Sequence, residues 1–501
     1  MRKTLAAAAL AALSTTALSP LHAEVPNDAQ TLALAARIDN NSFDRAQLMI
    51  ANQVQFWQPV IETLLTDDPN EGILPNLATE WSYNDDNTVL TLTLRDGISF
   101  TDGTPFDAAA VQANLEYLAA GSGQNGYMAR SIESYEILSP TQIALHLNAP
   151  DPALVFNLST VGGAMSSPAA LGQPGSDVLP IGTGPYVYDV EDSIPNSQYV
   201  YRRNADYWNP EAYPFEVITV APMTDTVARM NALFAGQVDG TVADVRAIAQ
   251  AEASGLSVYE ADVNWAGVII ADRDGTVAAP LADVRVRQAL NMAFDDASIL
   301  QYVDLGHGLL SDQIFPPSSP AYVPELDDYY PYDPERAREL LAEAGYADGF
   351  EIIFPDIRPF ASFYPIVQQQ LAEIGITATF EALPPGSAIP VIRSGRYAAY
   401  VFTFSSNDPW TDIQQHLTPD AGWNAFHYSD DTLNGLIHDA QMATGDAQVA
   451  AFQAVNRYIV ENAFFVPWYR QYGIYLSGSD VHVEMQPGNQ APYIRNYSPA
   501  E

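Results

Sequence analysis

The sequence predicts an α/β protein with more than one domain, in which strands and helices alternate along the whole chain. Three observations lead there. The chain has 501 residues, enough at about 150 residues per domain for two to four domains. Residues 88–94 alternate apolar and polar, with Leu90, Leu92 and Leu94 on one face and Thr91 and Thr93 on the other, which is the period of a half-buried strand. Capped helical patterns recur between such runs, an intermixing that argues for α/β lobes and against a β-sandwich.

In chain order, Asp96-Gly97 reads as a hairpin turn after which Ile98 and Phe100 resume a strand, and Asp102-Gly103 turns again. Val111, Leu115 and Leu118 stand at helical spacing just after Pro105. Asp225 can cap a helix carrying Met230, Leu233 and Phe234, with Gly236 at its end. Asp283 stands in the same relation to Val286, Ala289, Leu290 and Ala293. Asp333-Pro334 opens a helix through Leu340 and Leu341 that Gly345 stops. Residues 351–354 and 397–404 read as strands, the second one buried. No 20–50-residue repeat and no Gly/Ser linker interrupts the pattern.

Composition narrows the chemistry. Lys and Arg total 21 against 61 Asp and Glu, a formal charge of −40. Such a chain is repelled by nucleic acid and by an anionic bilayer surface. Without cysteine there are no disulfides, thiolate zinc sites, cysteine nucleophiles or lipid attachment through cysteine. Lys3 is the only lysine, which excludes Schiff-base chemistry and a lysine-bearing phosphate loop from the processed chain. The first 23 residues read as a secretory signal peptide: Arg2 and Lys3, an Ala/Leu-rich run, Pro20, and a cleavage site near Ala23. Cleavage removes two cations and no acid, taking the charge to −42. No stretch reaches the roughly 18 apolar residues of a membrane span, so a free periplasmic protein is expected.

Several motifs then occur in a fixed order. Leu74-Pro75-Asn76-Leu77-Ala78-Thr79-Glu80-Trp81 is followed by Leu94-Arg95-Asp96-Gly97-Ile98-Ser99-Phe100-Thr101-Asp102-Gly103. Gly182-Thr183-Gly184-Pro185-Tyr186, Asn204-Ala205-Asp206-Tyr207-Trp208, residues 281–290 (LADVRVRQAL) and residues 340–346 (LLAEAGY) come next. This series resembles the solute-binding proteins of ABC importers, family 5, the dipeptide/oligopeptide/nickel-binding type, over nearly the whole processed chain. In themselves the motifs read as structural: tight turns that need glycine, a core Phe100, a chain crossover at residues 182–185, and Arg285 and Arg287 paired with surface acids.

The resemblance implies a two-lobed periplasmic-binding-protein-like fold (type II, cluster C) with an extra subdomain inserted in the N-terminal lobe. It assigns residues 24–55, 185–270 and 482–501 to lobe I, 56–184 to the inserted subdomain and 271–481 to lobe II. A peptide or peptide-like solute is expected between the lobes, captured by hinge closure and delivered to a permease and an ATPase on separate chains. No nucleic acid, cofactor, metal or catalysis is implied, and a monomer is expected. The resemblance places Arg358 where dipeptide binders hold a ligand carboxylate, a task that suits the planar guanidinium fork; a surface ion pair is the other reading of Arg358. Ser405, Asn407, Asp408 and Trp410 match the family's acidic loop, with Ser405 where peptide binders carry the aspartate that meets the ligand ammonium. Losing that charge shifts the expected ligand toward an anionic or non-peptide solute. Trp265, Trp410 and Trp423 lie in segments that face the family's cleft, although tryptophan is equally a core residue. Asn41 and Phe43, after the first strand, are further candidates, and His416 and His427 are candidates for a metal-chelate contact. Two other readings remain open: an exported carboxylate-pair hydrolase such as a glycosidase, marked by raised carboxyl pKa values in a cleft, and a sensory or chaperone relative of the same fold. No Gly-x-Ser-x-Gly elbow or HExxH zinc motif occurs.

Overall fold

The computed structural model describes residues 31–121, 123–406 and 408–500. The leader, its cleavage near Ala23, and Asn407 lie outside the described residues. A nine-stranded mixed sheet runs through the molecule in the order Ala399–Ser405, Ser257–Ile270, Phe465–Ser477, Gly240–Ala243, Thr31–Ala36, Val217–Pro222, Tyr199–Arg203, Tyr186–Tyr188, with Gly308–Leu310 added on Phe465–Ser477. Thr31–Ala36 pairs parallel with both of its neighbours, and the other pairings are antiparallel. The two longest strands, Ser257–Ile270 and Phe465–Ser477, pair with each other and pass from one core to another. Trp265 to Ile270 and Phe465 to Tyr469 pack with residues 281–464, whereas Ile474 to Leu476 pack with residues 32–251. The cores change partners within these strands near Asp262–Asn264, where the pairing register shifts.

A four-stranded antiparallel sheet, in the order Ala78–Tyr83, Val89–Leu94, Gln142–Leu147, Ile132–Ser139, lies within residues 56–184. The alternation seen in the sequence decides its faces: Leu90, Leu92 and Leu94 are buried, Thr91 and Thr93 only partly so. This unit shares one hydrophobic cluster with the strands Thr31–Ala36 and Val217–Pro222.

Local signals in the sequence reappear in detail. Asp225, Asp283 and Asp333 cap the helices Thr226–Phe234, Val284–Met292 and Pro334–Glu343 through their side chains. Gly345 ends the last of these at φ +92, a left-handed conformation that is nearly free only for glycine. Two expectations, the hairpin at Asp96-Gly97 and the surface pairing of Arg287, are corrected. Asp96-Gly97 forms a turn but no hairpin: Val89–Leu94 pairs instead with Ala78–Tyr83 and Gln142–Leu147, leaving Ser99 only an isolated bridge to Pro105. The helix expected after Pro105 is Ala108–Ala120, capped by Asp107 and burying Val111, Leu115 and Leu118. Arg285 does pair with Asp283, but Arg287 is buried and donates to the carbonyls of Leu281, Ala282 and Asn462, because the segment before its helix and the turn after Glu461 leave backbone acceptors in the interior.

The dispersed motifs converge on Glu62, which is 5% exposed. Thr183 Oγ1 and Tyr207 OH each donate to its carboxylate at 2.8 Å, and Trp208 Nε1 donates at 3.2 Å. Arg95 lies 3.7 Å over the Trp208 ring and donates to the Asn76 carbonyl. Burial pushes the Glu62 carboxyl up to about 7 despite these donors. Gly182 and Gly184 let the chain pass against residues 59–61: a Cβ on Gly182 would stand 2.0 Å from the Val60 carbonyl oxygen. Gly182→Ala is therefore expected to destabilise by about 1–3 kcal/mol, as overpacking does, measured as a lower urea midpoint at unchanged slope; wild-type stability would refute the close-approach account.

Candidate functional site

A cavity of about 520 Å³ lies between these bodies. One wall comes from residues 56–184: the hairpin of Leu65–Asp68 and Gly72–Pro75, and the helix Leu154–Ser159. The facing wall is the end of Ala399–Ser405 with the helix Pro409–His416, flanked by Ser318 and Pro320. Residues 487–489 and Tyr493 close a third side. A cavity of this size suits a small ligand, for which about 300–1,000 Å³ is usual.

The sequence builds the second wall in one turn of helix. Asp408 is extended and accepts from the Thr411 N–H at 2.9 Å, and Pro409 occupies the first helical position, where its missing N–H costs nothing. Asp412 follows four residues after Asp408, on the same face. It is 4% exposed and takes a hydrogen bond from Ser406 Oγ. Burial pushes Asp412 up to about 8, with the Asp408 charge adding to it, and Asp408 up to about 6. Across the cavity burial also raises Asp67, while its neighbour Asp68 is held in an ion pair with Arg495 at 2.6 Å.

Of the residues expected from the sequence, Ser405 and Asp408 are brought together on this cavity, Ser405 exposed and Asp408 partly buried. The others lie elsewhere. Arg358 follows the strand Phe350–Asp356 with its side chain 82% exposed and 3.3 Å from Asp356, the surface ion pair of its second reading. Trp265 is 1% exposed between Phe404 and Phe465. Trp410 is buried in the same cluster, on the side of its helix that packs rather than lines. Trp423 is partly buried, with Arg393 4.1 Å over its ring. Phe43 is buried against Tyr188 and Tyr199, and Asn41 is exposed before it. His416 is packed beside Phe404 and Trp423, its imidazole pushed down to about 3 by burial and then by Arg273 and Arg393; His427 Nδ1 lies 2.9 Å from the Pro419 carbonyl. Among the described residues no group of three or more His, Cys, Asp or Glu is placed to hold a metal ion.

Asp412, Asp67, Ser406 and Asn157 line the cavity without having been singled out from the sequence. The available signal was the Asp-Pro-x-x-Asp spacing at residues 408–412, which sets two carboxylates one helical turn apart. Asp67 and Asn157 carried no local signal.

The chain belongs to the bacterial extracellular solute-binding proteins, family 5, whose model matches residues 72–424. It is similar to the glutathione-binding protein GsiB of Escherichia coli, 31% identical over 320 residues, 62% of this chain and 61% of that protein; the match thus spans about three fifths of the curated relative's length. HbpA2 from Haemophilus parasuis superposes with a TM-score of 0.83 at 22% identity, covering 94% of this chain and all of that one. The periplasmic binding protein DppA from Helicobacter pylori, in complex with the peptide STSA, superposes with a TM-score of 0.76 at 22% identity, covering 94% of this chain and 98% of that one. The fold is therefore the two-lobed periplasmic-binding-protein fold. No helix among the described residues is long and apolar enough to cross a membrane.

The folded state keeps protons on Asp408 and Asp412 that the unfolded chain releases near 3.8, so stability falls as pH rises from about 4 to about 8. The melting temperature of the ligand-free protein is expected to be higher at pH 5 than at pH 8. Asp412→Asn should raise it at pH 8 more than at pH 5; equal shifts at both pH values would refute the burial account. Arg358→Ala is expected to change stability by less than about 1 kcal/mol, as exposed pairs do, and to leave solute affinity within about twofold in a calorimetric titration; a tenfold loss would return Arg358 to the binding site.

Proposed function

We propose that this chain is the extracytoplasmic solute-binding component of an ABC importer, which captures a peptide-like solute in the interlobe cleft, closes on it and presents it to a membrane permease. The observation that carries this reading is the 520 Å³ cavity walled on one side by residues 56–184 and on the other by residues 318–415, in a molecule whose cores exchange partners along two paired strands. A solute touching both walls has more contacts in the closed state than in the open one, and that difference drives closure. Taking the equilibrium from almost all open to almost all closed needs roughly 5 kcal/mol of differential binding.

The lobes divide as the resemblance implies: 24–55, 185–270 and 482–501 form lobe I, 56–184 its inserted subdomain and 271–481 lobe II. The strands Ser257–Ile270 and Phe465–Ser477 act as the hinges, and Ser405 and Asp408 meet the solute. The relative named for glutathione, a tripeptide, and the neighbour holding the peptide STSA support a short peptide or peptide-like cargo. The protein works as a monomer in the periplasm after cleavage near Ala23, without chemical turnover, and ATP is hydrolysed on a separate chain.

The raised carboxyls Asp408 and Asp412 also fit the carboxylate-pair hydrolase. The family model and the relatives that match the chain are those of solute-binding proteins, so binding is the better reading.

Saturating solute is expected to raise the melting temperature, since ligand at 100 times Kd contributes about 2.7 kcal/mol, and to reduce the radius of gyration in solution scattering. The solute should be recovered intact by mass spectrometry after prolonged incubation. Tight binding with no compaction would refute hinge closure; conversion of the solute would turn the reading to the hydrolase.

A further inference from the structure

The cavity wall is unusual in its charge. Its acidic side chains are Asp67, Asp68, Asp408 and Asp412, and among the described residues lining it there is no Lys, Arg or His. Arg495 neutralises Asp68. Arg470 is 1% exposed and committed to Asp262 and the Ile314 carbonyl, so it offers no donor to a ligand. Asp67, Asp408 and Asp412 thus face the cavity from both walls without an ion pair among the described residues. Independently of the acids, Asn157 on the hairpin side is 3% exposed, lines the same cavity and leaves its buried Oδ1 without a hydrogen-bond partner. A buried acceptor is costly to leave unpaired. The unpaired Asn157 Oδ1 on one wall and carboxyls without an ion pair on both, with no cationic donor beside them, call for a ligand that donates.

We propose that the cleft selects a cationic solute, a peptide or peptide-like molecule bearing an additional ammonium or guanidinium group, held between Asp408 and Asp412 on one wall and Asp67 with Asn157 on the other, and that it provides no anchor for a ligand carboxylate. This rests on the solute-capture reading above. Ser405, where peptide binders carry an aspartate, does not leave the wall without a carboxyl: Asp412 stands one helical turn into the helix Pro409–His416, and a cation bound beside it favours its charged form. Two bonds to ligand donors from opposite walls would couple charge recognition to closure, and the strongly acidic body, −40 over the full chain, steers cations toward the cleft.

The test is calorimetric titration and solution scattering of the full processed protein at fixed ionic strength, with the dipeptides Lys-Lys, Ala-Ala and Glu-Glu as probes, each as free acid and as C-terminal amide. Lys-Lys is expected to bind at least tenfold tighter than Ala-Ala, with Glu-Glu weakest, and Lys-Lys amide at least as tightly as its acid. Asp412→Asn and Asp67→Asn should each cost Lys-Lys at least fivefold more affinity than they cost Ala-Ala, in variants whose circular dichroism matches the parent. Ala-Ala or Glu-Glu binding as tightly as Lys-Lys, with compaction, would overturn the cationic proposal and leave solute capture standing. Failure of all six probes would also overturn it, and a thermal-shift screen over sugars, opines and metal chelates would then decide the capture reading separately.

Discussion

The strands Ser257–Ile270 and Phe465–Ser477 pair antiparallel from Ser257 opposite Ser477 to Ile269 opposite Phe465, and both halves of the molecule are built outward from that pair. At one end it carries Gly240–Ala243 and the parallel strands of the first core; at the other it carries Ala399–Ser405 and the helices of the second. Midway the register shifts between Asp262 and Asn264, and there Arg470 is fixed to Asp262 by three hydrogen bonds. A buried guanidinium without its carboxylate is strongly unfavourable, so this pair holds one geometry at the point where the cores part. Gly267 serves the same pairing: a Cβ there would stand 2.2 Å from the Val466 carbonyl oxygen.

Two buried carboxylate groups divide the labour on either side of this pair. Glu62 is surrounded by donors from Thr183, Tyr207 and Trp208, and it ties the crossover at residues 182–185 to the body that carries the hairpin wall. Satisfied networks of this kind make a body rigid. Asp408 and Asp412 have few donors and face open space, so their unmet hydrogen-bonding capacity is available to a ligand. The same side-chain chemistry is structural where the protein supplies the donors and is left with spare acceptor capacity where it does not.

Much of the architecture could be read from the chain. The alternation at residues 88–94, the caps Asp225, Asp283 and Asp333, and the terminating Gly345 act within a few residues, and local sterics and hydrogen bonding decide them. The ordered motifs pointed to the family because they recur over the full length. The site was less legible. Ser405 and Asp408 reach the cavity, but Trp265, Trp410 and Phe43 went to cores, where large apolar surface is most favourably buried, and Arg358 stayed at the surface beside Asp356. An anionic solute followed from Ser405 alone, because nothing local shows that Asp412, seven residues on, turns into the same cavity, and Asp67 on the facing wall is more than 300 residues away in sequence.

By itself the sequence determined that this is an acidic α/β protein of the solute-binding family, and where the helices capped by Asp225, Asp283 and Asp333 begin. Only the tertiary structure decided that Asp67, Asn157 and Asp412 share one cavity, that motifs from residues 76 to 208 close around Glu62, and that no basic side chain among the described residues lines the cleft. The reason is range: caps and periodicity act between neighbours along the chain, whereas the charge of a cavity is the sum over walls that only long-range strand pairing and core packing bring face to face.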